Sequence, residues 1–164
     1  MNSYYFCTYF DSNYLSYGLT LIRSLQKQCK NSFTMYVLCL DEETYESLKE
    51  LKISSVELIK LSEIEKWDDS LLKVKNQRSV IEYYFTLSPI LPLYILKKFN
   101  VDIITSLDAD IMFFESPKSI YKALQSKSIY IIEHRFRPNY EKNLISGRFN
   151  VQCQLFRNNE IGLN

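Results

Sequence analysis

The chain has 164 residues, a length that suits one domain, and 46% of them are hydrophobic, enough for a sizeable core. Its 20 basic and 19 acidic side chains leave a net charge of +1, so no clustered positive charge favours nucleic acid. Four cysteines (7, 29, 39 and 153) form no C-x-x-C pair and His134 is the single histidine, so no structural zinc site is expected.

Cys7 and Cys39 sit in apolar runs and read as reduced, buried thiols. A cytoplasmic setting fits them, with a peripheral place at the inner membrane face left open. The start, MNSYYFCTYF, lacks a basic n-region and a small-residue cleavage site. The most apolar stretch, residues 90–96, is too short to span a bilayer and contains Pro92, so no transmembrane segment is expected.

Residues 4–10 are aromatic and uncharged, which predicts a strand buried on both faces. Asp11 and Ser12 then offer N-cap side chains, and Leu15, Leu19, Ile22 and Leu25 predict a helix over 12–28. Residues 33–40 predict a second buried strand. Asp41 caps the next helix, with Tyr45, Leu48 and Leu51 on one face. Residues 56–61 alternate and predict a short strand nearer an edge.

The stretch 62–77 reads as largely irregular, with a short helix begun by Ser62 and Glu65. Ser79 and Glu82 form a capping box, and Val80, Tyr83, Tyr84 and Leu87 mark one helical face. Ser88 with Pro89 predicts a fresh, buried helix closed by Lys97 and Lys98. Residues 101–107 predict another buried strand, which ends in Asp108-Ala109-Asp110 and runs on into IMFF. Ser116-Pro117 predicts a further helix with Ile120, Tyr121 and Leu124 inward; residues 128–133 and 148–157 predict two last strands. The alternating order implies α/β architecture: a mainly parallel, Rossmann-like sheet with helices on both faces, in one domain over 1–164.

In such sheets ligands bind beyond the carboxyl ends of the strands. Two ends here are polar: Thr8-Tyr9-Phe10-Asp11-Ser12-Asn13-Tyr14 and Asp108-Ala109-Asp110. Two carboxylates at i and i+2 converge only if the chain leaves the pleat between them, and Ala109 is small enough to permit it. Mg²⁺ and Mn²⁺ prefer such oxygens and take their remaining ligands from phosphate and water. The three glycines (18, 147 and 162) form no phosphate-cradling loop, so a metal would have to hold a diphosphate. The triplet alone also matches a solvated turn, although burial on both sides makes a partnerless carboxylate pair costly.

The segment TLSPILPLYILKKFNVDIITSLDADIMFFE (86–115) resembles the central part of bacterial nucleotide-diphospho-sugar transferases of the GT-A fold. HRF (134–136) and FNVQCQLFRNNEIGL (149–163) are similar to the same family, and FCTYFDSNYLSYGLTLIRSL to its first strand and helix, shared with glycogenin. The resemblance implies a glycosyltransferase that uses Mn²⁺ or Mg²⁺, a nucleotide-diphosphate sugar donor and a glycan or lipid-linked acceptor. It implies that Thr8, Tyr9, Asp11, Asn13 and Tyr14 hold base and ribose, and that Arg78 approaches the donor. Asp108 would reach ribose or metal with Ala109 beside the nucleotide, and Asp110 metal and diphosphate. Asn150 would lie near the sugar as the candidate catalytic residue. The family usually has glycine where this chain has Gln152.

Relatives also continue for roughly another hundred residues, about one domain-sized increment. The expectation is therefore a transferase lacking its C-terminal acceptor part, the alternative being a catalytically inactive nucleotide-binding remnant. Phe149, Val151, Cys153, Leu155 and Phe156 would then leave an apolar surface that favours self-association. A phosphatase with an Asp nucleophile would place its D-x-D on the first strand, and a sugar nucleotidyltransferase needs a glycine-rich first loop; neither pattern is present. Positive residues are locally dense only at Arg135, Arg137 and Arg148; Arg135 and Arg137 read by default as a solvated basic patch, with an anionic donor or lipid phosphate as the sharper reading. His134 reads equally as a strand-end residue near the site or a hydrogen-bonded structural one.

Overall fold

The computed structural model describes residues 3–29, 32–136, 144–145 and 147–164; Arg137 lies outside them. Six strands form one sheet: β1 (Ser3–Phe10), β2 (Ser32–Cys39), β3 (Val56–Lys60), β4 (Ile103–Leu107), β5 (Ile129–Glu133) and β6 (Phe149–Arg157), in the order β3-β2-β1-β4-β6-β5. The first four are parallel, and β6 and β5 extend the sheet antiparallel. The expected edge position of β3 is met.

Seven helices are described: α1 (Leu15–Gln28), α2 (Glu42–Leu51), α3 (Leu61–Trp67), α4 (Ser70–Lys75), α5 (Val80–Phe99), α6 (Lys118–Leu124) and α7 (Glu160–Leu163). The period-2 pattern of the strands sorts the core into two layers. Tyr4, Phe6 and Phe10 of β1, Met35 and Val37 of β2, and Ile103 and Leu107 of β4 pack with α1, α2 and α6. Cys7, Tyr36, Leu38 and Ile104 face the other way and pack with α3, α4 and α5. A buried relay ties α6 to the sheet: the Thr105 hydroxyl donates to Tyr121 (2.7 Å), whose phenol donates to the Tyr5 carbonyl (3.1 Å). Among the described residues no helix is long and apolar enough to cross a membrane.

Some boundaries differ from the sequence reading. Residues 12–14 form a 3-10 turn capped by Asp11 before α1 begins. The stretch 62–77 holds two short helices; α3 starts at Leu61, where Glu63 accepts the Lys60 backbone N–H (3.0 Å), so Ser62 and Glu65 do not open it. The capping box at Ser79 and Glu82 is present, but Ser88-Pro89 starts no new helix. Instead α5 runs straight through Pro89 and Pro92. Each proline costs about 3 kcal/mol in a helix interior, by removing an N–H and crowding the preceding turn. Leu87, Leu91, Tyr94, Ile95 and Leu96 are buried on the same helix, and each such side chain contributes about 1.5–3 kcal/mol. Continuity of that apolar face therefore wins. Val80, expected on the same face as Tyr83, is exposed at the first position of α5, while Tyr83 is buried.

Gly18 is buried in α1 against the ring of Phe10, and a Cβ there would stand 2.3 Å from that ring. Alanine would gain about 0.5–1 kcal/mol of helix propensity, but overpacking costs about 1–3 kcal/mol. Gly18→Ala is therefore expected to lose on the order of 1 kcal/mol. A urea unfolding midpoint that stays level or rises would contradict this packing account.

Candidate functional site

β1 connects outward to β2 and β3, and the chain then crosses back to place β4 on the other side of β1. The crevice between the carboxyl ends of β1 and β4 is thus the topological switch point of the sheet, where α/β folds bind ligands. A pocket of about 390 Å³ opens there. Tyr9, Phe10 and Asp11 line it from the end of β1, and Leu107, Asp108, Ala109 and Asp110 from the end of β4. Tyr14 precedes α1, and Ile81, Tyr84 and Phe85 come from α5. The volume lies within the range of small-molecule sites.

The aspartate turn is built from three attachments. The Asp108 backbone N–H donates to the Gln152 carbonyl (2.9 Å), the last rung between β4 and β6. The Ile111 N–H then turns back to the Asp108 carbonyl (3.4 Å). Ile111 and Phe113 return to the α1 layer of the core, and the Phe113 N–H donates to buried Ser24 of α1 (3.0 Å). Ala109 is buried between them. Asp108 and Asp110 are left on the pocket side, close enough that the charge of Asp110 acts on Asp108.

The electrostatics of this wall are one-sided. Burial first, and then the Asp110 charge, raise the Asp108 carboxyl above the usual carboxylate range. Among the described residues neither carboxylate forms an ion pair, and no Lys, Arg or His lines the pocket. Burial also pushes up the phenol of Tyr9, with Asp108 adding to the rise and a hydrogen bond with Ser88 opposing it. Burial, then Asp11 and Asp41, raise the phenol of Tyr84.

Asp41 is occupied structurally. Burial alone would raise its carboxyl, but hydrogen bonds from Thr44 and Ser12 outweigh this and hold it low. It caps α2 through the Thr44 N–H (2.7 Å) and ties down the Ser12 N–H (2.9 Å). Asp11 likewise accepts the Asn13 N–H (3.1 Å) and side-chain amide (3.3 Å).

The structure thus gathers Tyr9, Asp11, Tyr14, Asp108, Ala109 and Asp110 around one pocket, with Asn13 attached through Asp11. Thr8 is placed differently: it is 1% exposed, and its hydroxyl has no partner among the described residues. It alternates with Tyr9 and does not line the pocket. Arg78 is exposed and bonded to Thr86 on α5, outside the pocket lining. Asn150 lies on β6, its amide bonded to Gln152, the residue opposite Asp108. The sequence reading missed Ile81, Tyr84 and Phe85. Ile81 and Phe85 are 65% and 68% exposed, and large apolar side chains left out on a helix beside a strand-end aspartate were the available signal.

A divalent cation fits the donor set on chemical grounds. Asp108 and Asp110 offer hard oxygens without a protein countercharge. The nearby soft group, Cys153, is held protonated, its thiol pushed up to about 11 by burial and then by Asp108. Among the described residues no cluster of three or more His, Cys, Asp or Glu could hold a metal ion by itself. Two carboxylates leave most of the coordination sphere to water and ligand oxygens, the usual arrangement for Mg²⁺.

No family model matches the chain. It is 31% identical over 153 residues to the uncharacterized protein YfnD of Bacillus subtilis (strain 168), covering 92% of this chain and 48% of that one. It is 27% identical over 165 residues to the uncharacterized protein YfnF of the same strain, covering 96% and 54%. The chain thus spans about half the length of the curated relatives it matches. Among solved structures it is similar to the galactosyltransferase LgtC in complex with donor and acceptor sugar analogs (TM-score 0.63, 14% identity, 98% of this chain and 60% of that one). Mouse xyloside xylosyltransferase 1 matches with a TM-score of 0.62 at 13% identity, over 95% of this chain and 67% of that one. The glycosyltransferase GlyE of Streptococcus pneumoniae TIGR4 matches at 0.57 and 15%, over 96% and 35%. The fold is therefore that of the GT-A glycosyltransferases.

The raised carboxyl of Asp108 carries a stability consequence. A carboxyl whose folded pKa lies above its unfolded value costs stability at every pH above the unfolded value. The cost vanishes at low pH, where both states are protonated. Asp108→Asn, measured in chelator, should therefore melt higher than the parent near neutral pH and equally at about pH 3. A lower melting temperature for the variant near neutrality would show that the carboxylate is locally satisfied.

Proposed function

We propose that residues 1–164 form the donor-binding domain of a glycosyltransferase, which takes a nucleotide-diphosphate sugar through Mn²⁺ or Mg²⁺ held by Asp108 and Asp110. One observation carries this reading: the switch-point pocket is lined by three aspartates and no basic side chain. A diphosphate cannot approach that wall without a cation. The GT-A fold and the galactosyl- and xylosyltransferases among its neighbours support sugar transfer as the chemistry.

Each residue then has a physical task. Tyr14, Ile81 and Phe85 offer apolar walls on which a base can stack and shed water. Asp11, braced by Asn13, and Tyr9, braced by Ser88, present polar atoms at the end of β1 for base or ribose. Asp108 and Asp110 hold the cation, and the buried methyl of Ala109 lets the turn close between them. When bound, the cation supplies neutralisation of the diphosphate, including the charge that grows as it leaves. Thr8 supports β1 from the far side, and Arg78, outside the pocket lining, serves the donor only after leaving Thr86.

Calorimetry with UDP, GDP, ADP, CDP and dTDP tests this directly. At least one should bind more tightly with Mn²⁺ than with chelator. Asp110→Asn should weaken the metal-dependent binding by about 1–3 kcal/mol, the scale of one charge-assisted contact. Equal affinity with and without metal for every nucleotide would sink the proposal.

A further inference from the structure

Resting on the donor-site reading above, we infer that Gln152 selects a donor sugar that carries a carbonyl or carboxylate oxygen, such as an N-acetylated or uronic acid sugar. The inference comes from the hydrogen-bond polarity of β6 beside Asp108.

Leu107 pairs with Cys153 and Ser106 with Gln154, and the Asp108 N–H meets the Gln152 carbonyl at 2.9 Å. Gln152 is therefore the direct cross-strand neighbour of Asp108, and such neighbours share a face of the sheet. Gln152 is exposed and lies just beyond the residues that line the pocket, where a sugar extending from the proposed cation site would reach it.

The orientation of its amide follows from one fixed point. The Gln152 backbone N–H can only donate, and it donates to Asn150 Oδ1 (2.8 Å). This turns Asn150 Nδ2 toward the Gln152 side chain, which must meet it with an acceptor, Oε1 (3.0 Å). Gln152 Nε2 is then left on the open side with both its hydrogens unused among the described residues. Both amide oxygens are occupied and the spare donors face out. The pair offers hydrogen-bond donors beside the Asp108 carboxylate. Such a surface rewards a strong oxygen acceptor and discriminates weakly among plain hydroxyls, which can donate or accept.

The test is a binding series with Mn²⁺: UDP, UDP-glucose, UDP-N-acetylglucosamine and UDP-glucuronate, or the equivalent sugars of whichever base binds best. The parent chain should hold at least one carbonyl-bearing sugar nucleotide about fivefold or more tighter than the plain hexose, the scale of one hydrogen bond to a strong acceptor. The N-acetyl and uronate arms show which acceptor is preferred. Gln152→Glu keeps the contact with Asn150 but replaces the outward donor by an anionic acceptor. It should abolish the preference and disfavour the uronate, each sugar nucleotide being compared with UDP bound to the same variant. Gln152→Leu should level the series without reversing it. A parent chain without preference, or a preference that survives in both variants, overturns the inference while leaving metal-dependent UDP binding intact. No metal-dependent binding of any nucleotide overturns the donor-site reading and this inference with it.

Discussion

The site turns on a confined like-charge pair. Asp108 and Asp110 are forced together at the end of a buried strand because the chain must leave the sheet there and return two apolar side chains, Ile111 and Phe113, to the core. The last β4–β6 rung at Gln152 fixes where the strand stops, and the Ser24 hydroxyl of α1 fixes where the chain goes next. Between those anchors the two carboxylates stay near enough for the charge of Asp110 to act on Asp108. The core on one side thus holds an electrostatic cost on the other.

The topology decides which strand ends share that cost. With β4 beside β1, the β1 terminus at Tyr9–Asp11 faces the aspartate turn. The β2 terminus bears an aspartate too, but Asp41 is fully engaged by Ser12 and Thr44 and holds the first loop and α2 together. Equal residue types at equivalent strand ends thus serve different purposes, and hydrogen-bond partners distinguish them. Helix α5 runs unbroken through its two prolines, so Ile81, Tyr84 and Phe85 at the pocket share one rigid element with the buried residues further along.

Much of this was legible in the sequence. Buried strands are β-rich and nearly free of charge, so 4–10 and 33–40 stand out, 56–61 shows by its alternation instead, and the paired aspartates announce themselves by following the apolar run 101–107. Strand alternation also separates Thr8 from Tyr9, and that was the clue to their different surroundings. Other features depend on tertiary balance. The run of α5 through Pro89 is a contest between a local backbone penalty and distributed burial, and the local signal was the visible one. The position of Gln152 opposite Asp108 depends on a register between β4 and β6 that no periodicity reveals.

The central claim is that one cation joins this aspartate pair to a diphosphate. Crystals soaked with Mn²⁺ and the best-binding nucleoside diphosphate, measured at the manganese absorption edge, address it most directly. The account predicts an anomalous peak within coordination distance of carboxylate oxygens of both Asp108 and Asp110 and of diphosphate oxygens. A nucleotide seated in this pocket with its phosphates turned away from that pair, or with the manganese bound elsewhere, would contradict it.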